Sequence, residues 1–219
     1  MIRLAVIVPL TLAAAIIPAA GAPAGYGEAF VGAFAAACVP ERLSYTGTQS
    51  NAEELGWTAA ERTAHPELAA LLARMEAGLA EAADMQPTFD YQLYARPVAG
   101  ADHYLVVSRS SFVMDLGSGE DASEPEVWAS IGCYLYNFDA AEPIDPAPMT
   151  ALIEKPIAHA VDRDGIVGHV WGPPCPMPRT GDTYLTFIPK SSPHAHEVGF
   201  TGLTLKFSTS LPSWEERQK

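Results

Sequence analysis

The sequence predicts an α+β fold, with a mostly antiparallel sheet of about six strands packed against N-terminal helices. Three observations predict this class: apolar residues recur at helical spacing early in the chain, period-two alternation dominates afterwards, and no long linker separates the two parts. The chain has 219 residues. We therefore expect a single domain over residues 23–211, followed by a charged tail at 212–219.

Residues 1–22 have the features of a secretory signal peptide. Arg3 gives a basic start, an apolar run extends to Pro18, and Ala20-Gly21-Ala22 is a small-residue cleavage site. The apolar run is shorter than a transmembrane helix requires, and no other stretch approaches a membrane span. We expect a periplasmic or secreted protein with no membrane span in its mature chain.

The charge of the chain excludes one class of partner. The formal net charge is −13, and it becomes about −14 when the segment containing Arg3 is removed. Nucleic-acid and anionic membrane surfaces repel such a chain, and the sequence has no basic stripe for phosphate recognition. A small molecule or an envelope protein remains as the expected partner.

The first predicted helix runs from Gly25 to about Val39 and ends before Pro40. One apolar stripe repeats every four residues along it and consists of Tyr26, Phe30, Phe34 and Cys38. The stripe predicts that Cys38 lies at the end of the buried face.

Two further helices are predicted from capping signals. Ser50 to Glu53 has capping-box spacing, which predicts a short helix that stops at Gly56 and leaves Trp57 to fold into the core. The same signal recurs at Thr58 to Glu61. Pro66 then suits a first helical position, and apolar residues at helical spacing predict a helix over 66–83.

From Thr88 onward the apolar period changes to two, which is typical of strands. A glycine-, serine- and acid-rich stretch from Asp115 to Glu126 predicts a loop. Met149, Leu152 and Ile153 predict one short helix among the strands. The predicted strands are 88–95, 104–108, 130–139, 166–171, 183–188 and 199–208.

The strand from Ser130 to Asp139 is predicted to be central because both of its faces are apolar. One face carries Ile131, Cys133 and Leu135, and the other carries Tyr134, Tyr136 and Phe138. The aromatic face is a candidate surface for a ligand or partner. The alternative is that these rings pack beneath loops or a short helix.

Three cysteines in an oxidising compartment allow one disulfide and leave one thiol over. Three pairings are possible. We predict Cys38 with Cys133, because a helix stripe packed on the Cys133 face of the strand would bring two inward cysteines together. Cys175, in a proline-locked loop, is then a free thiol or the partner in an alternative or intermolecular disulfide.

A possible metal site lies before the last strand. His194 and His196 share a face if that strand begins early, and His169 is a conceivable third ligand for a transition metal. The alternative is that both histidines lie on a wet loop. Neither G-x-S-x-G nor S-x-x-K occurs, and no glycine-rich phosphate loop follows a strand. The sequence favours a non-enzymatic protein without a cofactor over a metal-binding protein or a metal-dependent hydrolase.

Four features together resemble a loose set of small exported proteobacterial proteins of no known function. They are a signal peptide, a helix ending F-x-x-x-C at Phe34 to Cys38, Leu55-Gly56-Trp57 after a short helix, and a later strand cysteine at Cys133. The resemblance covers roughly residues 30–138. It implies no catalytic residues.

Overall fold

The computed structural model describes residues 25–82, 85–114 and 126–211, and five α-helices and eight strands lie in these ranges. The helices are α1 (Tyr26–Cys38), α2 (Tyr45–Glu54), α3 (Pro66–Glu81), α4 (Ala147–Ile153) and α5 (Ala195–Val198). The strands are β1 (Thr58–Ala59), β2 (Thr88–Val98), β3 (Ala101–Met114), β4 (Glu126–Asn137), β5 (His159–Arg163), β6 (Ile166–Trp171), β7 (Thr183–Ile188) and β8 (Gly202–Ser210). The predicted signal peptide and charged tail lie outside the described residues, as does nearly all of the predicted 115–126 loop.

All eight strands form one antiparallel sheet in the order β1-β2-β3-β4-β8-β7-β6-β5. Two four-stranded meanders therefore meet where β4 pairs with β8. The α+β class is confirmed, but the sheet is larger than the six strands predicted. Helices α4 and α5 also show that the helices are not confined to the N-terminal part of the chain.

The two strands that sequence analysis missed lie at the two edges of the sheet. Strand β1 has only two residues, too few to show a period. Strand β5 is exposed along its whole length, so no buried face imposes an apolar alternation on it. The turn between β5 and β6 uses Asp164 and Gly165, both at positive φ.

Strand β4 divides the core into two layers, as the alternation predicts. We call the side that carries Cys133 and Leu135 the disulfide face, and the side that carries Tyr134 and Tyr136 the tyrosine face. Helix α1 packs its stripe on the disulfide face, in a cluster that also contains residues of β3, β7 and β8. Because Cys38 and Cys133 are both inward in this layer, the predicted disulfide forms, with Cα atoms 5.8 Å apart.

Helix α2 begins earlier than its predicted capping box. Ser44 caps it by accepting a hydrogen bond from the Gly47 amide at 3.0 Å, and Ser50 lies inside the helix. Gly56 adopts φ +81° as a left-handed stop, and Trp57 is buried, both as predicted. The second capping signal is wrong as a helix start: Thr58 is in β1, which pairs with β2.

Helix α3 confirms the prediction from its apolar spacing and begins at Pro66. The Nδ1 atom of His65 accepts a hydrogen bond from the Glu67 amide at 3.2 Å and caps the first turn. Its buried leucines, Leu68, Leu71 and Leu72, join the core cluster of the tyrosine face. The position of α3 therefore decides which part of this face is open.

Candidate functional site

Two of the three aromatic residues predicted as a binding face are buried. Tyr136 and Phe138 are 4% and 1% exposed, and their rings stack with centroids 5.1 Å apart. Both belong to the core cluster that contains Leu68 and Leu72 of α3. For these two residues the structure thus favours the alternative of packing over a binding surface: the Phe138 ring stacks on His65, and Tyr136 meets Phe200 edge-on. Only Tyr134 remains partly exposed.

The part of the tyrosine face beyond α3 carries a row of three side chains on neighbouring strands. Tyr134 of β4 lies opposite Lys206 of β8, which lies opposite Tyr184 of β7. Tyr184 is 36% exposed, and the Lys206 ammonium lies over its ring, 5.2 Å from the centroid. This row is one border of what we call the open half of the tyrosine face.

Lys206 is a half-buried cation without a carboxylate partner in the described parts of the chain. Burial lowers the pKa of its ammonium below the ordinary lysine value, and no neighbouring charge contributes to the shift. The Tyr184 ring attracts the ammonium but leaves its charge unneutralised. A positive charge is therefore held at a fixed place in a protein whose net charge is strongly negative.

Small residues continue the open half beside this row, across β3, β4 and β8. The register aligns them in two further rows, which consist of Ser108, Gly132 and Ser208, and of Ser110, Ser130 and Ser210. The hydroxyls of Ser110 and Ser130 hydrogen-bond each other at 2.9 Å, and Ser208 is exposed. We call these six residues the serine strip. Because their side chains are short, the strip lies lower than the rings around it.

Gly132 is required for the position of the Tyr134 ring. A Cβ atom at residue 132 would overlap the Tyr134 hydroxyl and would lie 2.5 Å from a ring carbon of Tyr134 and 2.6 Å from the Ser108 hydroxyl oxygen. The Tyr134 ring therefore folds over the glycine and meets Ser108. Burial raises the pKa of Tyr134, and the hydrogen bond with Ser108 acts in the opposite direction.

Aromatic rings border the serine strip on two other sides. Trp128 is 40% exposed and lies opposite Phe112 in the register of β3 and β4. On β2, the rings of Phe89 and Tyr91 are 5.6 Å apart. The open half thus combines hydroxyls, ring edges and one cation. That is the mixture of apolar walls and a few placed polar groups found in small-molecule sites.

A second polar group, on the disulfide face, is closed to solvent. The Tyr26 hydroxyl donates to Nε2 of His103 at 2.8 Å and accepts from the Asn137 amide at 2.6 Å. Nδ1 of His103 donates to the Ala101 carbonyl at 2.8 Å. His103 is therefore the neutral tautomer with its proton on Nδ1, and burial lowers its pKa. With all its hydrogen bonds internal, this network is structural.

The predicted metal ligands contact different groups. His194 precedes α5, with Nδ1 3.1 Å from Glu197 and Nε2 3.7 Å from Asp164, so both ring nitrogens face carboxylates. The carbonyl of His196 accepts from Arg74 of α3, and His169 contacts the Trp171 ring on β6. Among the described residues, no group of three or more histidine, cysteine or acidic side chains is placed to hold a metal ion.

The third cysteine, Cys175, is exposed and free. It lies in the loop between β6 and β7.

Tyr134 was predicted from the sequence, but Lys206 and the serine strip were not. Side chains alternate along the last strand, so Lys206 lies on the face opposite to Leu203, Leu205 and Phe207. This pattern could have identified Lys206 as a residue of the tyrosine face. The sequence does not show how the strands pair, and it is this pairing that places residues 134, 206 and 184 side by side.

No protein-family model matches this chain, and no curated protein or solved structure matches it either. No helix in the described ranges is both long enough and apolar enough to cross a bilayer.

Proposed function

We propose that this protein is exported and acts by binding a small organic molecule at the open half of the tyrosine face. The observation that carries the proposal is the row of Tyr134, Lys206 and Tyr184, in which two rings flank a half-buried ammonium that no carboxylate of the described residues neutralises. An unpaired, partly buried charge lowers the stability of a fold. Stabilisation of the fold therefore does not explain a lysine at this position, whereas binding of a ligand does.

Export is supported by the Cys38–Cys133 disulfide. Disulfides of this kind persist in oxidising compartments, and residues 1–22 have the composition of a secretory signal peptide. We therefore assign the protein to the periplasm or to the secreted fraction.

Binding rather than catalysis is supported by the chemistry of the open half. A serine nucleophile needs an adjacent base that accepts its proton. The hydroxyl of Ser108 instead meets the Tyr134 phenol, whose pKa is raised by burial, and the hydroxyls of Ser110 and Ser130 bond each other. These groups are arranged to hold polar atoms in place, not to activate one.

The proposal is tested with N-phenyl-1-naphthylamine, a neutral two-ring dye that fluoresces in apolar surroundings. We expect the mature protein to bind the dye, and Tyr184→Ala and Trp128→Ala each to weaken binding by roughly fivefold, because each removes an aromatic contact. Leu43→Ala is the matched control, since Leu43 is a similarly exposed apolar residue (43%) in the loop between α1 and α2.

Equal dye affinity in the wild type, Tyr184→Ala and Trp128→Ala would refute a binding site in the open half. An envelope protein that occupies the same surface would displace the dye, so competition by periplasmic proteins tests that class of partner in the same assay.

Metal analysis separates this proposal from the alternative of a metal-binding protein or metal-dependent hydrolase that uses His194, His196 and His169. We expect the purified protein to contain no stoichiometric transition metal, because no three histidine, cysteine or acidic side chains of the described residues are placed to hold one. A stoichiometric metal that is lost in the His194→Ala/His196→Ala double variant would overturn the binding proposal in favour of the alternative.

A further inference from the structure

We propose that the ligand of the open half is a small organic acid, whose single anionic group pairs with the ammonium of Lys206 while its apolar part lies against the neighbouring rings. This inference rests on the proposed function and specifies the class of ligand.

The charge of Lys206 is available because nothing in the described structure competes for it. The residues opposite it in the register are Tyr134 and Tyr184, both neutral, and no carboxylate of the described residues forms an ion pair with it. Of the other described lysines, Lys190 pairs with Asp139 at 2.7 Å, and the Lys155 ammonium contacts the Pro173 carbonyl. In a chain with a net charge of −13, an unpaired cation is the one feature of this surface that favours an anion over a neutral molecule.

One cation favours a single negative charge. A phosphate dianion is ordinarily held by several donors, such as an arginine fork or the amides of a glycine-rich loop. Neither lies opposite Lys206, where the register places Tyr134 and Tyr184, and the amides of the strands that form the floor are used in the sheet. A carboxylate or sulfonate needs only the ammonium and a few hydroxyls, which the serine strip supplies.

The size of the open half limits the ligand. Lys206 and Ser210 are four residues apart on β8, which corresponds to about 13 Å along the strand. A molecule of one to three rings, with its acidic group at Lys206 and its body over the serine strip, spans this length. The partial burial of Lys206 strengthens the pairing, because Coulomb attraction is larger where the effective dielectric constant is lower.

The test compares two dyes with almost the same ring system. One is 8-anilinonaphthalene-1-sulfonate, a monoanion, and the other is neutral N-phenyl-1-naphthylamine. We expect Lys206→Met, which keeps an unbranched side chain and removes the charge, to weaken binding of the sulfonate about tenfold, as loss of a charge-assisted hydrogen bond does. Binding of the neutral dye is expected to change less than about twofold, which also shows that the variant is folded.

Lys155→Gln is the charge control, because its ammonium contacts the Pro173 carbonyl at another part of the surface. This variant should bind both dyes as the wild type does. Added salt should weaken binding of the sulfonate to the wild type but hardly affect its binding to Lys206→Met.

The two proposals fail in different ways. If Lys206→Met lowers the affinity for both dyes equally, or for neither, the organic-acid inference is wrong while the binding site can stand. If Tyr184→Ala and Trp128→Ala change the binding of neither dye, the site itself is wrong and the inference fails with it.

Discussion

Gly132 shows how one residue sets the shape of the candidate site. It is the residue of β4 that lies between Ser108 and Ser208 in the register, and the Tyr134 ring occupies the space that any side chain at this position would need. The glycine therefore lowers the serine strip and lets the Tyr134 hydroxyl reach Ser108. A larger residue would push the ring outward and fill the open half.

We expect Gly132→Ala to lower the free energy of unfolding by about 1 to 3 kcal/mol, the usual cost of overpacking, and to weaken dye binding. Gly168→Ala is the matched control. Gly168 is a strand glycine on the same face, but the nearest atom to a Cβ there is in Val161 at 3.8 Å, an ordinary contact. Urea unfolding of both variants measures the difference. Equal losses in the two variants would show that the Tyr134 ring does not depend on Gly132.

His103 gives the stability of the fold a predictable pH dependence. Burial lowers its folded-state pKa, although its hydrogen bond to Ala101 and the charge of Asp102 act in the opposite direction. The unfolded chain therefore binds a proton near the ordinary histidine pKa of about 6.5, before the folded chain does. Stability from the neutral His103 is complete above that pH and is lost as the pH falls below it.

The expected slope is up to about 1.4 kcal/mol per pH unit between the unfolded-state pKa and the lower folded-state pKa. Urea unfolding at pH 7.5, 6.5 and 5.5 measures it. His103→Gln removes the titrating group, so we expect the variant to be less stable at pH 7.5 but to lose less stability on acidification. If His103→Gln loses stability with falling pH as steeply as the wild type does, other histidines cause the pH dependence of stability.

At the level of elements, the disulfide joins the first helix to the strand at the middle of the sheet. Its cysteines are 95 residues apart in sequence, so the bond restricts a large part of the unfolded chain. Both cysteines are buried in the core of the disulfide face.

We expect Cys38→Ala/Cys133→Ala to lower the free energy of unfolding by about 2 to 5 kcal/mol. Cys175→Ser is the control, and it should leave stability unchanged because Cys175 is exposed and free. Denaturant unfolding under non-reducing conditions makes the comparison. Peptide mapping of the non-reduced protein that paired Cys175 with either buried cysteine would contradict the assignment.

The elements also show what the sequence can and cannot predict. Helices α1 and α3 were predictable because each has a strong apolar stripe that only one conformation buries. Which sheet face α3 covers was not predictable, because the aromatic residues of β4 suit a core and a binding surface equally well. The burial of Tyr136 and Phe138 follows from tertiary packing with α3, and no local pattern at residues 134–138 records it.

At the level of the whole molecule, two meanders share one sheet, and the candidate site depends on their junction. Tyr134 belongs to the first meander, while Lys206 and Tyr184 belong to the second. Residues more than seventy positions apart thus become neighbours only when β4 pairs with β8. A sequence motif within either half of the chain therefore cannot reveal this site.

The topology also predicts how protection from hydrogen exchange varies across the sheet. Strands β4 and β8 have a paired strand on both sides, whereas β5 pairs only with β6 and is exposed along its length. Because β4 and β8 separate only when the two meanders come apart, the amides of these strands should exchange only through global unfolding. We expect exchange measured by mass spectrometry to be slowest in β4 and β8. Among the strands of more than two residues, it should be fastest in β5.

Protection of β5 equal to that of β4 would contradict an open edge and would mean that a second chain or a partner pairs with it. Exchange in β8 as fast as in β5 would mean instead that the meanders separate below the global unfolding free energy, in which case the row of Tyr134, Lys206 and Tyr184 would not be a fixed site.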